Sequence, residues 1–265
     1  MPKLTRTTEE RAARGDGPDF IESLDRGLRV IQAFAADHRP MTLSDIARAC
    51  DLPRATARRI LITLQKTGFV SGDERLFSLT PRVLMLASAY LASNQIATVM
   101  QPLMDEVATR AREVCSLAIL DGGEAVFIAR ASPARVFSAG IDIGYRLPAF
   151  CTSVGRVLLS RLPDDQLAAT LAAMTLTAQT PETVTDKSQV VATIIADRAQ
   201  GYSLVDREAE PGFRSISVPI RRYDGAIVAA ANIGAHVDRI ATAEMIDRFL
   251  PLLREMATTA KPLMV

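Results

Sequence analysis

The stretch DLPRATARRILITLQKTGFV, residues 51–70, carries Arg54, Arg58, Arg59 and Lys66, with no acidic residue between Asp51 and Asp73 to balance them. An arginine guanidinium can pair bidentately with guanine O6 and N7, and a lysine ammonium grips phosphate as a point charge. Thr56 adds a hydroxyl that suits a base edge or a backbone oxygen. A charge cluster by itself is more often a solvated helix face, so the element that presents it decides between the two readings. Ala57, Ile60, Leu61 and Leu64 recur at i, i+3, i+4 and i+7, which predicts a helix with one buried stripe and places Arg54, Arg58 and Arg59 off that stripe. Pro53 suits the first helical position, and Gly68 suits a left-handed close.

A second stretch, LPAFCTSVGRVLLS at residues 147–160, offers different chemistry. Thr152 and Ser153 are expected to cap a helix whose first turn includes Val154 and Gly155, so that two hydroxyls and free backbone N–H groups converge, a geometry that holds carboxylates. An ordinary capped helix reads the same way. Arg130, Arg146 and Arg214 fall near predicted strand and loop ends and are candidate counter-cations, with an ion pair to Asp206 or Glu208 as the structural alternative for Arg214.

Catalytic readings are weaker. Cys151 as a nucleophile with His236 as its base needs a lowered thiol pKa, and a buried cysteine is the better reading. Asp206, Glu208 and Glu210 alternate after a strand, a pattern expected of loop charges, and there is no glycine-rich phosphate loop or nucleotide fingerprint. Cys50, Cys115 and Cys151 form no C-x-x-C pair and the chain holds two histidines, so neither a disulfide framework nor a metal site is expected. No cofactor is expected either.

The elements that must position these residues follow from periodicity. A helix capped by Ser23 carries Leu24, Leu28, Ile31 and Phe34 and should end before Pro40. Thr42, three residues before Asp45, predicts a capping box for a short helix over 43–50. After the basic helix come Phe69-Val70, a polar turn at 71–74 and a strand at 76–79, a small hairpin. Three helices, the last two tightly joined, followed by a hairpin make a winged helix-turn-helix, whose recognition helix enters a DNA major groove. In that frame Arg26 near the start of the first helix and Arg75 on the wing become candidates for phosphate or minor-groove contact. Thr80-Pro81 opens a further helix that is apolar over a broad face and so wants a partner, and Pro102 predicts a break near 97–101. Beyond residue 95, strands are predicted at 115–120, 125–130, 136–141, 202–206, 215–221 and 227–233, and Asp224-Gly225 signals a hairpin. Helices are predicted at 152–161, 163–174, 186–199 and 241–258. Strands joined by hairpins with helices inserted between them give an α+β fold with an antiparallel sheet.

Length and charge agree with two domains. With 265 residues and a formal net charge of +1, affinity for nucleic acid must come from local clustering. No uncharged apolar run approaches a bilayer span, and the first residues lack the apolar core of a signal peptide, so a cytoplasmic, non-membrane protein is expected. The expected layout is a disordered arm at 1–19, the winged helix-turn-helix at 20–80, a linker helix at 81–95 and an effector domain at 96–265.

The order of SLDRGLRVIQAF, TLSDIARACDLPRATARRILITLQKTGFV, LTPRVLMLASAYL, LPAFCTSVGRVLLS, QGYSLVDREAEPGFRSISVPI and AANIGAHVDRI resembles the isocitrate lyase regulator (IclR) family of bacterial transcription factors over residues 20–258, most of all its β-ketoadipate and aromatic-acid branch. The resemblance implies a GAF-like C-terminal domain that binds a small carboxylate effector such as protocatechuate, 4-hydroxybenzoate or β-ketoadipate, double-stranded operator DNA as a partner, and a homodimer or tetramer. By the same resemblance Leu147, Thr152, Ser153, Val154, Gly155, Ser215 and Asn232 line the effector site, with Val205, Asp206 and Gly234 nearby. Gly234 stands where the family usually has serine, which removes one polar contact. The competing classes are a constitutive DNA-binding protein with a structural second domain and a GAF-fold enzyme.

Overall fold

A computed structural model describes residues 17, 19–37, 39–73, 75–133 and 142–264. Its contacts divide the chain into two compact units, Met1–Ala92 and Ser93–Val265. Most of the arm expected at 1–19 and the strand expected at 136–141 lie outside the described residues.

In the first unit, α1 (Glu22–Asp37) turns Val30 and Phe34 inward. The short α2 (Leu43–Ala49) starts at the expected capping box: the Thr42 hydroxyl accepts the Asp45 N–H at 3.2 Å, and the Asp45 carboxylate accepts the Thr42 N–H at 3.1 Å. The Thr42 hydroxyl, 2.7 Å from the Asp45 carboxylate, and the Thr42 N–H together hold that carboxyl below the usual aspartate range. Asp51, with φ 49°, makes the tight turn into α3 (Arg54–Lys66), whose Ala57 and Leu61 are buried. Gly68, with φ +79°, closes α3 as expected and leads into β1 (Val70–Gly72) and β2 (Phe77–Leu79), an antiparallel wing. Val30, Phe34, Ile46, Leu61, Val70 and Phe77 share one core, which fixes α3 by one face and leaves the other outward.

Thr80 caps a 3-10 turn, Pro81–Val83, that runs into α4 (Leu84–Ser93). On α4, Leu84, Met85, Leu86 and Tyr90 are exposed. The next helix corrects the expected break at Pro102. α5 (Gln95–Ala111) is continuous through the proline, and the chain restarts earlier, at Asn94, whose side chain accepts the Ile96 N–H. An internal proline costs about 3 kcal/mol. Met100, Met104, Val107, Ala108 and Ala111 are all buried on this helix, and full burial of each large side chain returns about 1.5–3 kcal/mol, so packing outweighs the lost bond.

The second unit is built on a six-stranded antiparallel sheet in the order β5-β4-β3-β8-β7-β6. Its strands are β3 (Val114–Asp121), β4 (Glu124–Ala131), β5 (Arg146–Pro148), β6 (Ser203–Asp206), β7 (Phe213–Arg221) and β8 (Ile227–His236). One face, with Cys115, Leu117, Val218 and Ile233, packs on α5 and on the closing helix α9 (Leu250–Ala260), which follows a π-helical stretch at Met245–Phe249. The other face receives α6 (Ser153–Leu159), whose Val154, Val157 and Leu158 meet Ala118, Phe127 and Ala230. The α7 (Asp164–Ala173) and α8 (Lys187–Gln200) helices form a side layer around Phe150, Leu167 and Ile194. No single helix among the described residues is long and apolar enough to cross a membrane.

Candidate DNA interface and effector site

Because Ala57 and Leu61 are anchored in the core, α3 presents Arg54, Arg58, Arg59 and Lys66 on its outer side, all exposed. Arg54 and Arg58 are four residues apart and project together from the first turns, while Arg59 and Thr56 turn toward a groove of about 530 Å³ between α1 and α3. Among the described residues none of Arg54, Arg58, Arg59 and Lys66 has an ion-pair partner. Arg156, Arg198, Arg214 and Arg239 of the second unit, by contrast, each meet a carboxylate. Arg75 is exposed at the wing tip, where Asp73 holds the turn by accepting the Arg75 and Leu76 N–H groups at 2.8 Å. Arg26 is in a different position. It is paired with Glu22 at 2.6 Å and its side chain is largely covered, so its expected contact with DNA competes with an existing ion pair.

In the second unit the buried Ser153 hydroxyl meets the Ser215 hydroxyl at 2.8 Å, which joins the start of α6 to β7. Gly234 lies directly across from Ser215 on β8, and Asn232 lies one step inward opposite Ser217. Three of the residues named from sequence therefore share one patch of the sheet with Ser153. The others surround it. Leu147, on β5, is half-buried in the same apolar cluster as Val154. Val205 pairs with Ser215 from β6.

Thr152 has a different task from Ser153. Its hydroxyl accepts the Gly155 N–H at 3.1 Å and lies 3.2 Å from the Pro148 carbonyl, so it caps the helix. Gly155 is required by close packing, since a Cβ there would stand 2.2 Å from the Ala149 carbonyl oxygen. Asp206 is bound to Arg214 at 3.1 Å, and Arg214 also donates to the Ile240 carbonyl, which is the structural alternative raised for this arginine. Arg146 bridges Asp121 and Glu124, both at 2.7 Å, tying β5 to the β3–β4 turn. Arg130 is held near Asp142 at 3.4 Å.

The absent serine at position 234 has a physical account. The Phe213 ring lies over Gly234, and a Cβ there would stand 2.4 Å from its Cζ. Cys151 is fully buried, and burial pushes its thiol up to about 12, with nearby Glu208 adding to the rise, so it stays protonated at neutral pH.

Sequence reasoning missed Ser116, Ser203 and Ser217, three buried serines near Asn232. Each stands between two largely apolar neighbours in the sequence, a signal that was available, but only the strand register shows how they line up.

A winged helix-turn-helix with an unpaired basic helix, carried on the same chain as an α+β domain with a buried polar site, defines a DNA-binding regulator with a separate ligand domain. The chain belongs to the IclR family of bacterial transcriptional regulators: residues 23–74 match the IclR helix-turn-helix domain and residues 88–261 match the IclR C-terminal domain. It is 43% identical to the Pca regulon regulatory protein of Pseudomonas putida over 92% of this chain and 84% of that one. A regulator structure from Rhodococcus sp. RHA1 superposes with TM-score 0.80 at 42% identity, covering 92% of this chain and 98% of that one. An IclR homologue from Microbacterium hydrocarbonoxydans, solved in complex with 4-hydroxybenzoate, superposes with TM-score 0.73 at 28% identity, covering 89% and 96% of the two chains.

Proposed function

We propose that this regulator controls genes of aromatic-acid catabolism, binding an operator through α3 and a small aromatic carboxylate in its C-terminal domain. The observation that carries the effector half of the reading is the Ser153–Ser215 hydroxyl pair, a polar point where α6 meets the sheet. The names of its relatives support the choice of acid: one governs the Pca regulon and another holds 4-hydroxybenzoate. Arg54 and Arg58 are the residues for base or phosphate contact, with Arg59, Lys66, Thr56 and Arg75 flanking them. Leu147, Val154 and Asn232 complete the effector site around the two serines. Thr152, Gly155 and Asp206 act on it indirectly, through the cap, the close helix approach and the Arg214 pair.

The protein works as a homo-oligomer in this reading. Leu84, Met85, Leu86 and Tyr90 leave α4 exposed and apolar around much of its circumference, as an interaction surface would be, and joining protomers there presents two winged helices to a palindromic operator.

Thermal-shift titration of the full chain with a panel of aromatic and aliphatic acids tests the effector half. The wild type is expected to be stabilised by an aromatic acid, and Ser153→Leu to lose that stabilisation while the free protein still binds DNA. A shift that persists in Ser153→Leu at the original affinity would overturn the placement of the site.

A further inference from the structure

The helix α8 brings a carboxyl group to the end of a line of polar side chains on the sheet. Ser203 on β6, Ser217 on β7, Asn232 on β8 and Ser116 on β3 are direct cross-strand neighbours in that order. Side chains opposite one another across antiparallel strands share a face, and serines so placed are close enough to exchange hydrogen bonds. Ser217 lies two residues along β7 from Ser215, whose hydroxyl meets Ser153. At the other end, Ser203 adjoins Asp197 on α8, a helix that packs against α6, α7 and β6. The Ser203 hydroxyl lies near enough to Asp197 to favour its ionised form.

Four atoms along this row, Asp197 Oδ2, Ser203 Oγ, Ser217 Oγ and Asn232 Oδ1, are buried without a hydrogen bond of ordinary length. Each such atom in a native protein calls for an explanation, and four in one row call for a shared one. The charged groups around Asp197 are engaged with one another. Arg156 on α6 is bound to Glu208 of the β6–β7 connection, and the Glu208 charge opposes a second anion beside it. Arg198 reaches Asp164 on α7 and the carbonyls of Ser160 and Leu162, while Arg254 on α9 donates to the Gln200 carbonyl. Asp206, at the far end of β6, is held by Arg214. Asp197 is 7% exposed and makes no ion pair among the described residues.

We propose that Asp197 is a positioning residue of the effector site, acting through Ser203 and Ser217, and that binding of an anionic acid at Ser153 and Ser215 draws a proton onto its carboxyl group. This rests on the placement of the effector at those two serines. A serine hydroxyl has one proton, so the acid at the end of the row sets the direction in which the row donates. An ionised Asp197 only accepts. It turns the Ser203 proton toward itself, and the row then presents lone pairs toward the effector, the wrong polarity for an anion. A protonated Asp197 donates to Ser203, the serine protons turn the other way, and Ser217 offers its proton at the end nearer the acid. Charge acts in the same sense, since an anion at Ser153 adds its field to that of Glu208 and disfavours a further negative charge on Asp197. Burial already holds this carboxyl above the usual aspartate range, which brings the proton exchange closer to neutral pH.

Isothermal titration of the full chain with 4-hydroxybenzoate at pH 6, in MES and in Bis-Tris, tests the proposal, because the difference in heat between buffers of unlike protonation enthalpy counts the protons taken up. The ligand adds little of its own between pH 5.5 and 7.5, since a carboxyl titrates well below and a phenol well above that range. The wild type is expected to take up a measurable fraction of one proton and to bind at least about threefold more tightly at pH 5.5 than at pH 7.5. In Asp197→Asn the uptake is expected to vanish, with affinity independent of pH and near the wild-type value at pH 5.5. Ser203→Ala is expected to keep binding the acid with the uptake at least about halved. His236→Gln is expected to leave the uptake unchanged. No uptake by the wild type, an undiminished uptake in Asp197→Asn, or an uptake that moves with His236 overturns the role of Asp197 while leaving the effector site standing. Full uptake in Ser203→Ala overturns action through the serines. Failure of the underlying site looks different: the wild type does not bind the acid at any pH, or Ser153→Leu binds it as the wild type does, and the proposal then falls with it.

Discussion

Arg156 on α6 and Glu208 in the β6–β7 connection form a buried ion pair at 2.7 Å, with the Arg156 Nε also donating to the Phe150 carbonyl at 2.9 Å. Glu208 accepts the Val184 N–H as well, so one carboxylate ties the helix that carries Ser153 to the loop that leads into Ser215. Removing one partner of such a pair strands the other charge in the interior, at a cost of about 3–5 kcal/mol. Arg156→Met is therefore expected to lower the urea midpoint strongly, and Arg156→Met combined with Glu208→Leu to recover much of the loss. A double variant no more stable than Arg156→Met would show that the pair does more than neutralise a buried charge.

Two glycines near the site should tolerate an added side chain to different degrees. At Gly155 a Cβ would meet backbone of residue 149 at 2.2–2.3 Å, which cannot move aside, so Gly155→Ala is expected to cost about 3 kcal/mol or more. At Gly234 the obstacle is the far end of the half-buried Phe213 ring, which can swing outward. Gly234→Ser is expected to cost less than about 1.5 kcal/mol and to shift the near-ultraviolet circular dichroism of the aromatic residues. Equal destabilisation of the two variants by chemical denaturation would contradict this.

Asp197 on α8 gives a pH-dependent expectation. Burial raises its carboxyl above the usual aspartate range, against the opposing pull of the nearby Ser203 hydroxyl, the Arg156 charge and Gln200, whose amide donates to its Oδ1 at 3.0 Å. A carboxyl whose folded pKa exceeds the unfolded one penalises the folded state above the folded value, and the penalty fades as pH falls through that value toward the ordinary aspartate pKa. Asp197→Asn should therefore raise the melting temperature at neutral pH, with the gain disappearing on acidification through that window. A gain independent of pH, or a loss at neutral pH, would contradict the assigned cause.

Local chemistry made much of the fold legible. The Thr42–Asp45 box, the Ala57–Leu61 stripe, the Gly68 close and the Asp224-Gly225 hairpin each depend on residues a few positions apart, and each forms as its sequence pattern implies. Pro102 misled because the burial that outweighs its backbone penalty comes from the sheet and the closing helix, distant in sequence. The three-residue strand β5 was too short to show a period. At the site, Ser153, Ser215 and Asn232 could be named in advance, but the division of labour between Thr152 as cap and Ser153 as cross-link depends on where β7 lies. The Ser116–Asn232–Ser217–Ser203 line is a property of register, which separate strands do not display.

The most direct test of the central claim, that the outer side of α3 meets duplex DNA under the control of a ligand bound elsewhere in the chain, is a fluorescence-anisotropy titration of the DNA flanking its own gene, from low to moderate ionic strength, with and without 4-hydroxybenzoate. The expected result is specific binding whose affinity changes with the acid. In Arg58→Ala the salt dependence should be shallower by about one counterion for a phosphate contact, or base preference should change at one position by about 1–3 kcal/mol for a guanine contact. No binding at low salt in either condition, or an Arg58→Ala protein unchanged in affinity, salt slope and base preference, would contradict it.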